Sequence, residues 1–245
     1  MRKFLVFLVG ASTMMLTSCI DMVEQMYLNK DGSGKYVMEF DMSGMFSNPF
    51  MMGMMEESMK KELQLEEGEK LEKDSMMYFR DMPGADNLTA DELKMLGDAK
   101  IHMVMSEEKK QLKASTEIAF NSLPELEKIN VLIQKVSGED GQTGGMMGGT
   151  SPFSSGARFQ LKKRTLTRMP TPPVGNVFED EQMQMAKMIF EGATVTTIYH
   201  LPGKVKKTSI KNAKIDGKTV TVTSDILDLM EEKVAIEGDI IFKKR

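Results

Sequence analysis

The chain contains a single cysteine, Cys19, which follows a short apolar segment at the start of the sequence. Two cationic residues precede this segment, residues 4–16, and two small residues separate it from the cysteine. This order of cationic, apolar and small residues is typical of a cleaved secretory signal. The apolar segment is shorter than the roughly 20 residues that a permanent membrane helix needs. Because the chain has no second cysteine, it cannot form an internal disulfide, and we expect packing alone to stabilise the fold.

The residues around this cysteine, Leu16-Thr17-Ser18-Cys19, resemble the lipobox of bacterial lipoproteins. In that motif the signal is cleaved before the cysteine, whose thiol is acylated and whose amine becomes the new N-terminus. The resemblance implies a lipoprotein signal peptide over residues 1–18 and a body over residues 19–245 that is attached to a membrane through lipid on Cys19. The alternative interpretation is an ordinary cleaved signal with an unmodified cysteine.

The neighbouring residues predict where such a lipoprotein is sorted. The Thr-Ser-Cys ending looks like that of Bacteroidetes-type lipoproteins. Ile20 rather than an aspartate follows the cysteine, which under the sorting rule of enterobacteria predicts the outer membrane. We therefore expect a cell-envelope protein that is lipid-anchored in the outer membrane.

Charge argues against nucleic acid as a partner. The whole chain carries a formal charge of −4, and loss of Arg2 and Lys3 with the signal leaves −6 on the body. An acidic body repels the phosphate backbone of DNA and RNA. We expect no nucleic-acid binding.

Alternating apolar residues and capping motifs predict a mixed fold. Residues 22–42 alternate with period two around an Asp31-Gly32 step, which predicts a β-hairpin. Capping boxes starting at Thr89 and Ser122 predict two helices. Further strands are predicted at 76–80, 101–105, 112–120, 159–169, 193–201 and 234–242, and a second hairpin is predicted around Asp216-Gly217. Two more helices are predicted at 178–190 and 226–232, and a flexible Gly-rich loop at 138–156. Because the helices are interspersed among hairpins and do not alternate with strands as βαβ units require, the predicted class is α+β.

Methionine is abundant, with 26 residues against 12 Phe, 4 Tyr and no Trp. Residues 49–63 predict an amphipathic helix with a methionine side and i,i+4 Glu–Lys pairs opposite. Methionine side chains are flexible and accept variable apolar partners, so the helix either packs on the sheet as core or covers a lipid or peptide groove. The candidate ligand-binding residues are Met51, Met52, Met54, Met55 and Met59.

The same methionines raise a copper alternative, since soft thioethers select Cu(I). The run from Met51 to Met55 resembles the clustered methionines of copper-handling envelope proteins. On a helix, however, only residues three or four apart share a face, and no histidine lies nearby. We therefore favour the apolar interpretation and assign neither a metal site nor a cofactor.

A basic stretch lies between Arg158 and Lys218, with 12 Lys and Arg against 5 Asp and Glu. If the strands that carry these cations are neighbours, the cations would form one surface that attracts anionic lipid headgroups or acidic glycans. The alternative is a solvated basic face that balances acidic helices in the same molecule. The candidate contacts for an anionic group are Arg158, Lys162, Lys163, Arg164 and Lys204, and Arg168, Lys206 and Lys207 would extend the surface.

No catalytic motif occurs in the sequence. The chain has two histidines, His102 and His200, both in predicted strands and without HExxH spacing. It has no GxSxG elbow, no phosphate-binding loop and no dinucleotide fingerprint. We predict that the protein is not an enzyme, with a carboxylate-only hydrolase, which leaves no local motif, as the alternative.

Three motifs resemble one family. Asp31-Gly32-Ser33-Gly34, Leu201-Pro202-Gly203-Lys204-Val205 and the segment at 215–222, together with the lipobox, look like the LppM-like bacterial lipoproteins. The resemblance implies a helix-grip-like fold in which a curved antiparallel sheet holds helices around an apolar cavity, with lipid or glycolipid binding in some members and no catalytic residues.

The expected function is therefore a non-enzymatic envelope lipoprotein that binds a lipid or other apolar ligand. The alternative from another class is a scaffolding lipoprotein whose methionines are core only and whose partner is another envelope protein.

Overall fold

The computed structural model describes residues 20–47, 52–53, 70–137, 157–170, 187, 189–231 and 233–243. The described residues form twelve strands and three α-helices with defined bounds. The strands are β1 Asp21–Leu28, β2 Gly34–Asp41, β3 Glu72–Tyr78, β4 Lys100–Ser106, β5 Gln111–Phe120, β6 Phe159–Lys162, β7 Thr165–Arg168, β8 Thr194–His200, β9 Val205–Thr208, β10 Lys214–Asp216, β11 Thr219–Asp225 and β12 Gly238–Phe242. The helices are α1 Ala90–Leu96, α2 Leu123–Ser137 and α3 Ile226–Met230. The predicted α+β class is confirmed.

Eight strands form one large sheet in the order β10-β11-β8-β1-β2-β5-β4-β3. The predicted hairpin at its centre is present, with β1 and β2 antiparallel and in register from Asp21 opposite Asp41 to Leu28 opposite Gly34. Gly32 in the turn has φ +90, a backbone conformation that residues with a side chain rarely adopt. Along the central strands, alternate side chains are buried on one face of the sheet, as period-two patterning requires.

The prediction of a purely antiparallel sheet is wrong, because β1 and β8 pair in parallel. Met22 lies opposite Val195 and Met26 opposite Tyr199. A hairpin turn marks a local antiparallel pair in the sequence, but no turn motif connects two strands that are so distant along the chain. The large sheet is therefore mixed, and its single parallel pair is a tertiary feature.

The remaining four strands form a small sheet in the order β6-β7-β12-β9. The single strand predicted over residues 159–169 is a hairpin, in which Lys163 turns the chain with φ 56. The last strand, predicted over residues 234–242, begins only at Gly238. Strand β9 was not predicted, since its sequence Val-Lys-Lys-Thr has one buried residue and too little alternation.

The first two helices begin at the predicted positions. Thr89 and Glu92 form a complete capping box at the start of α1. At α2 the Ser122 hydroxyl accepts from the Glu125 amide as expected, but the Glu125 carboxylate accepts from the amide of Asn121, one residue earlier. The apolar face predicted for α2 is confirmed, and its buried members are Leu126, Ile129, Leu132, Ile133 and Val136.

Two other predicted segments lie mostly outside the described residues. Met52 and Gly53 are helical, but the rest of the predicted methionine helix at 49–63 is not described. Lys187 and Ile189 are helical, and the remainder of the helix predicted at 178–190 is described only at its end. Cys19 and the Gly-rich loop at 138–156 also lie outside the described residues.

The buried face of the large sheet carries two separate apolar clusters. The first is covered by α1, α2 and the small sheet, and it includes Met26, Tyr36, Ile118, Tyr199 and Val220. The second lies at the end of the sheet where β1 begins. The buried members of this second apolar cluster are Ile20, Met22, Met42, Met45, Leu71, Met105, Leu112, Ala193, Val195 and Ile226.

Candidate functional site

The second apolar cluster is rich in methionine and is covered by short segments. Met22 from β1 and Met105 from β4 contribute from the sheet. Met45 from the 3-10 turn Ser43–Ser47 and Ile226 from α3 cover them. Seven further apolar side chains are only partly buried against it: Phe40, Phe46, Met103, Ile189, Phe190, Leu229 and Met230. A cluster with this many half-exposed, flexible side chains can adapt to an additional apolar surface.

Three segments of the chain meet at this cluster. Met45 and Leu71 lie on either side of the methionine-rich segment at 49–63 and are 0% and 1% exposed. Ile20, which follows Cys19 directly, is also buried in the cluster. Ile189, near the end of the helix predicted at 178–190, also packs on this cluster. The predicted anchor and the methionine-rich segment therefore both connect to the same end of the sheet.

A buried polar network separates the two clusters. Arg168 from β7 donates to the Glu24 carboxylate from β1 at 2.6 Å, and both residues are almost fully buried. Tyr36 and Thr197 donate to the same carboxylate at 2.7 and 2.9 Å, and Arg168 also donates to the Tyr199 hydroxyl at 3.1 Å. Glu24 lies between Met22 of the second cluster and Met26 of the first, so the network divides the core and links the two sheets.

Burial and charge in this network shift three pKa values. Burial raises the pKa of the Tyr199 hydroxyl to about 12, against an ordinary value of 10.0. Burial, followed by the adjacent Glu24 carboxylate, raises the pKa of Tyr36 well above the same value. Burial by itself would lower the pKa of Arg168, but the Glu24 carboxylate together with Tyr199 and Tyr36 outweighs it and raises that pKa above its ordinary range. Both tyrosines are therefore neutral and Arg168 is charged at neutral pH.

The structure brings four of the five predicted basic contacts to one end of the small sheet. The Phe242 amide donates to the Arg164 carbonyl at 3.0 Å, and the Lys243 amide donates to the Lys204 carbonyl at 2.8 Å. Lys162 and Lys163 precede Arg164 in the β6-β7 turn. We call the five exposed cations Lys162, Lys163, Arg164, Lys204 and Lys243 the cationic end. Sequence reasoning missed Lys243 because its proximity depends on the non-local pairing of β12 with β7 and β9.

Two arginines lie away from the cationic end. Arg158 is at the opposite end of the β6-β7 hairpin, where its carbonyl accepts from the Met169 amide. The inclusion of Arg168 in a basic surface is wrong, because its side chain is 2% exposed and pairs with Glu24. Arg168 has the same parity on β7 as the buried Leu166, and that alternation is the signal that could have indicated its burial.

The outer face of the large sheet carries a depression of about 290 Å³, away from both clusters. Val37 and Ser115 lie among longer side chains, including Lys35 and Glu117, which pair at 3.3 Å. His102 contacts Asp74 at 2.7 Å, while His200 stacks on the Tyr27 ring. Ser115 lies opposite His102 across β4 and β5, but in the described residues no hydrogen bond joins either histidine to a serine. Its lining combines charged side chains, among them the Lys35–Glu117 pair, with uncharged ones such as Tyr27 and Met76.

Within the described ranges, neither a cluster of metal-ligating residues nor a membrane-spanning helix is present. There, no group of three or more His, Cys, Asp or Glu residues could hold a metal ion. No helix in the same part of the chain is long and apolar enough to cross a membrane. Of the methionines in the copper alternative only Met52 is described, so that alternative is not tested.

Comparison of the chain with family models, curated proteins and solved structures found no match.

Proposed function

We propose that this protein is a non-enzymatic envelope lipoprotein, anchored in the outer membrane through lipid on Cys19, that binds a lipid or acyl chain at the second apolar cluster. One observation carries the proposal. Ile20, the residue after Cys19, is buried in this cluster, as are Met45 and Leu71 on either side of the methionine-rich segment. The partly buried Phe46, Met103 and Met230 pack against the same cluster.

The position of Ile20 supports an anchor close to the folded body. Ile20 is 4% exposed, and β1 begins at the next residue. Acyl chains on Cys19 would therefore lie beside the second cluster, with no linker between the lipid anchor and the folded body. In this proposal a lipid can pass between the membrane and the cluster over a short distance.

The methionine-rich segment supplies the cover in this proposal. Met45, before this segment, and Leu71, after it, are both buried in the second cluster, and in this proposal residues 51–59 cover that cluster. Methionine at positions Met51, Met55 and Met59 gives a flexible apolar surface that can follow acyl chains of different length. We also propose that the large mixed sheet curves around α1 and α2. This is the helix-grip-like fold that the resemblance to the LppM-like lipoproteins implies.

A scaffolding role is the second candidate, and the edge of the large sheet favours it. Strand β3 is an edge strand, and Met76 and Met77 on it are 51% and 40% exposed. An exposed edge with apolar side chains is a surface on which another chain can add a strand. This candidate needs no ligand in the second cluster.

Native mass spectrometry of the full chain, extracted from membranes in a neutral detergent, separates the two candidates. We expect a bound lipid in addition to the mass of the acylated chain. Met103→Gln with Met230→Gln, which places polar groups on the partly buried side of the cluster, should reduce the lipid-bound fraction severalfold. Met76→Gln is the matched control and should leave that fraction unchanged, because Met76 lies on the opposite face and is exposed.

A ligand-free mass that persists after incubation with phospholipid would contradict lipid binding and leave the scaffolding candidate. Equal lipid loss in the control and in the double variant would contradict the location of the site.

A further inference from the structure

The cationic end lies at the opposite end of the molecule from Cys19. Leu161, which precedes Lys162, lies against Gly32 in the turn that follows β1. Val205, which follows Lys204, donates to the carbonyl of Gly217 in the β10-β11 turn at the same end of the large sheet. Strand β1 has eight residues and spans about 25 Å from its Cys19 end to this turn.

The five cations form a row across the ends of neighbouring strands. Arg164, Lys243 and Lys204 adjoin the ends of β7, β12 and β9, which are successive strands of the small sheet. Lys162 ends β6, the fourth strand, and Lys163 follows it in the turn. With neighbouring strands about 4.8 Å apart, the row is about 15 Å long. Five charges over four strand ends give an extended array and not one compact binding pocket.

The row lacks acidic partners in the part of the chain that the structure describes. None of the five side chains forms an ion pair there, whereas Lys35, Lys113 and Lys187 each pair with a carboxylate elsewhere. Asp239, the acidic residue of β12, lies toward the other end of that strand and accepts from the Thr167 hydroxyl. The positive potential at the cationic end is therefore not neutralised by its own sheet.

We propose that the cationic end binds an acidic polysaccharide in the space beyond the anchoring membrane. The direction of this contact rests on the proposed Cys19 anchor, since anchoring at the start of β1 points the row away from the membrane. Lysines, which make up four of the five cations, act as flexible point charges and suit the repeated, separated carboxylates of an extended glycan.

A membrane surface fits the cationic end less well. Peripheral membrane binding gains strength from apolar side chains that insert among the lipids. The large apolar side chains that are exposed in the described residues, among them Tyr27, Met76 and Val131, lie on β1, β3, α2 and β10. The four strands of the small sheet and their turns contribute none of these, so attraction at the small sheet itself depends on charge. Ile215, in the β10-β11 hairpin whose Gly217 carbonyl accepts from Val205, is a single exposed apolar side chain beside it.

Binding of labelled polygalacturonate, a linear chain with one carboxylate per sugar, tests the proposal. The full chain is reconstituted in phosphatidylcholine vesicles and titrated with the polymer at low and at physiological ionic strength. We expect binding that weakens as salt screens the charges. Replacing the five cations of the cationic end by Gln should weaken binding about tenfold or more, because five modest ionic contacts are lost together.

The matched control replaces five exposed lysines on other elements, Lys73, Lys94, Lys109, Lys110 and Lys128, by Gln. This control loses the same charge and should bind as the wild type does. Equal weakening in both variants, or no binding of the polymer by the wild type, would overturn the proposal. It would also be overturned if the wild type bound phosphatidylglycerol vesicles but not polygalacturonate.

Failure of the proposed anchor has a different signature. A full chain that does not enter the vesicles would count against lipid on Cys19. Polymer binding would then be measured in neutral detergent, and its dependence on the five cations decides the polysaccharide proposal separately.

Discussion

At the scale of single residues, the Glu24–Arg168 pair is a buried polar contact that connects the two sheets. Separating two charges from water is costly unless each is paired and hydrogen-bonded. Here the carboxylate accepts from Arg168, Tyr36 and Thr197, and the guanidinium also contacts Tyr199 and lies over the Phe159 ring at 5.5 Å. The network therefore fixes the position of β7 over β1.

Loss of the arginine alone should be strongly destabilising. Arg168→Met leaves Glu24 buried without its cation, and we expect the free energy of unfolding to fall by about 3–5 kcal/mol in urea denaturation. Adding Glu24→Met in the same chain should recover much of this loss. Lys113→Met breaks an exposed pair with Asp41 and should cost no more than about 1 kcal/mol. Similar costs for Arg168→Met and Lys113→Met would show that the network is not a major contributor.

Alkaline pH should destabilise the protein through the two buried tyrosines. Because folding raises the pKa of Tyr199 to about 12, the folded state holds this proton more tightly than the unfolded state does. This contribution to stability is complete below pH 10 and is lost as pH rises from about 10 to 12. Each such tyrosine makes stability fall by about 1.4 kcal/mol per pH unit in this range. Urea denaturation between pH 9 and 12 should show a smaller fall for Tyr199→Phe, and an unchanged fall would contradict the assigned burial effect.

At the scale of elements, local patterns predicted local structure. The β1-β2 hairpin, the start of α1 at Thr89 and the buried face of α2 each follow from signals within one continuous segment of the sequence. The parallel β1-β8 pair and the β9-β12 contact depend on residues that are far apart in sequence. Sequence reasoning therefore found the pieces of the large sheet but not the small sheet as a unit.

The buried face of α2 gives a direct test of that local prediction. Ile129 is fully buried in the first cluster, and Ile129→Ala should lower the free energy of unfolding by about 2–5 kcal/mol. Val131 on the same helix is 59% exposed, and Val131→Ala should change stability by no more than about 0.5 kcal/mol. Thermal or urea unfolding measures both. Equal effects of the two substitutions would mean that the helix does not bury the face described.

Gly203 controls the approach of β9 to the end of β12. A Cβ at this position would overlap the backbone carbonyl of Lys243, so Gly203→Ala must displace one of the two strands. We expect a loss of about 1–3 kcal/mol in stability. Hydrogen exchange should accelerate at the Lys243 amide, which donates to the Lys204 carbonyl. Gly192→Ala is a control for backbone strain without overlap, since Gly192 has φ +73 and open space around the new methyl group. It should lower stability through that strain but leave local exchange at Lys243 unchanged.

At the scale of the whole molecule, the two ends of the large sheet differ in chemistry. The end where β1 begins carries the second apolar cluster and follows Cys19, and the other end adjoins the cationic end. The sequence indicated which residue types matter at each end, namely methionines for the second apolar cluster and cations for the cationic end. It could not predict their separation, because strand order and the packing of the small sheet place them at opposite ends.

Acylation of Cys19 tests the central claim most directly. Cells that express the wild type or Cys19→Ala are labelled with a clickable palmitate analogue, and their membranes are separated from soluble material. We predict that the wild type carries the label, loses residues 1–18 and stays with the membranes, while Cys19→Ala is unlabelled and retains its signal. Identical labelling, processing and fractionation of the two proteins would contradict the account.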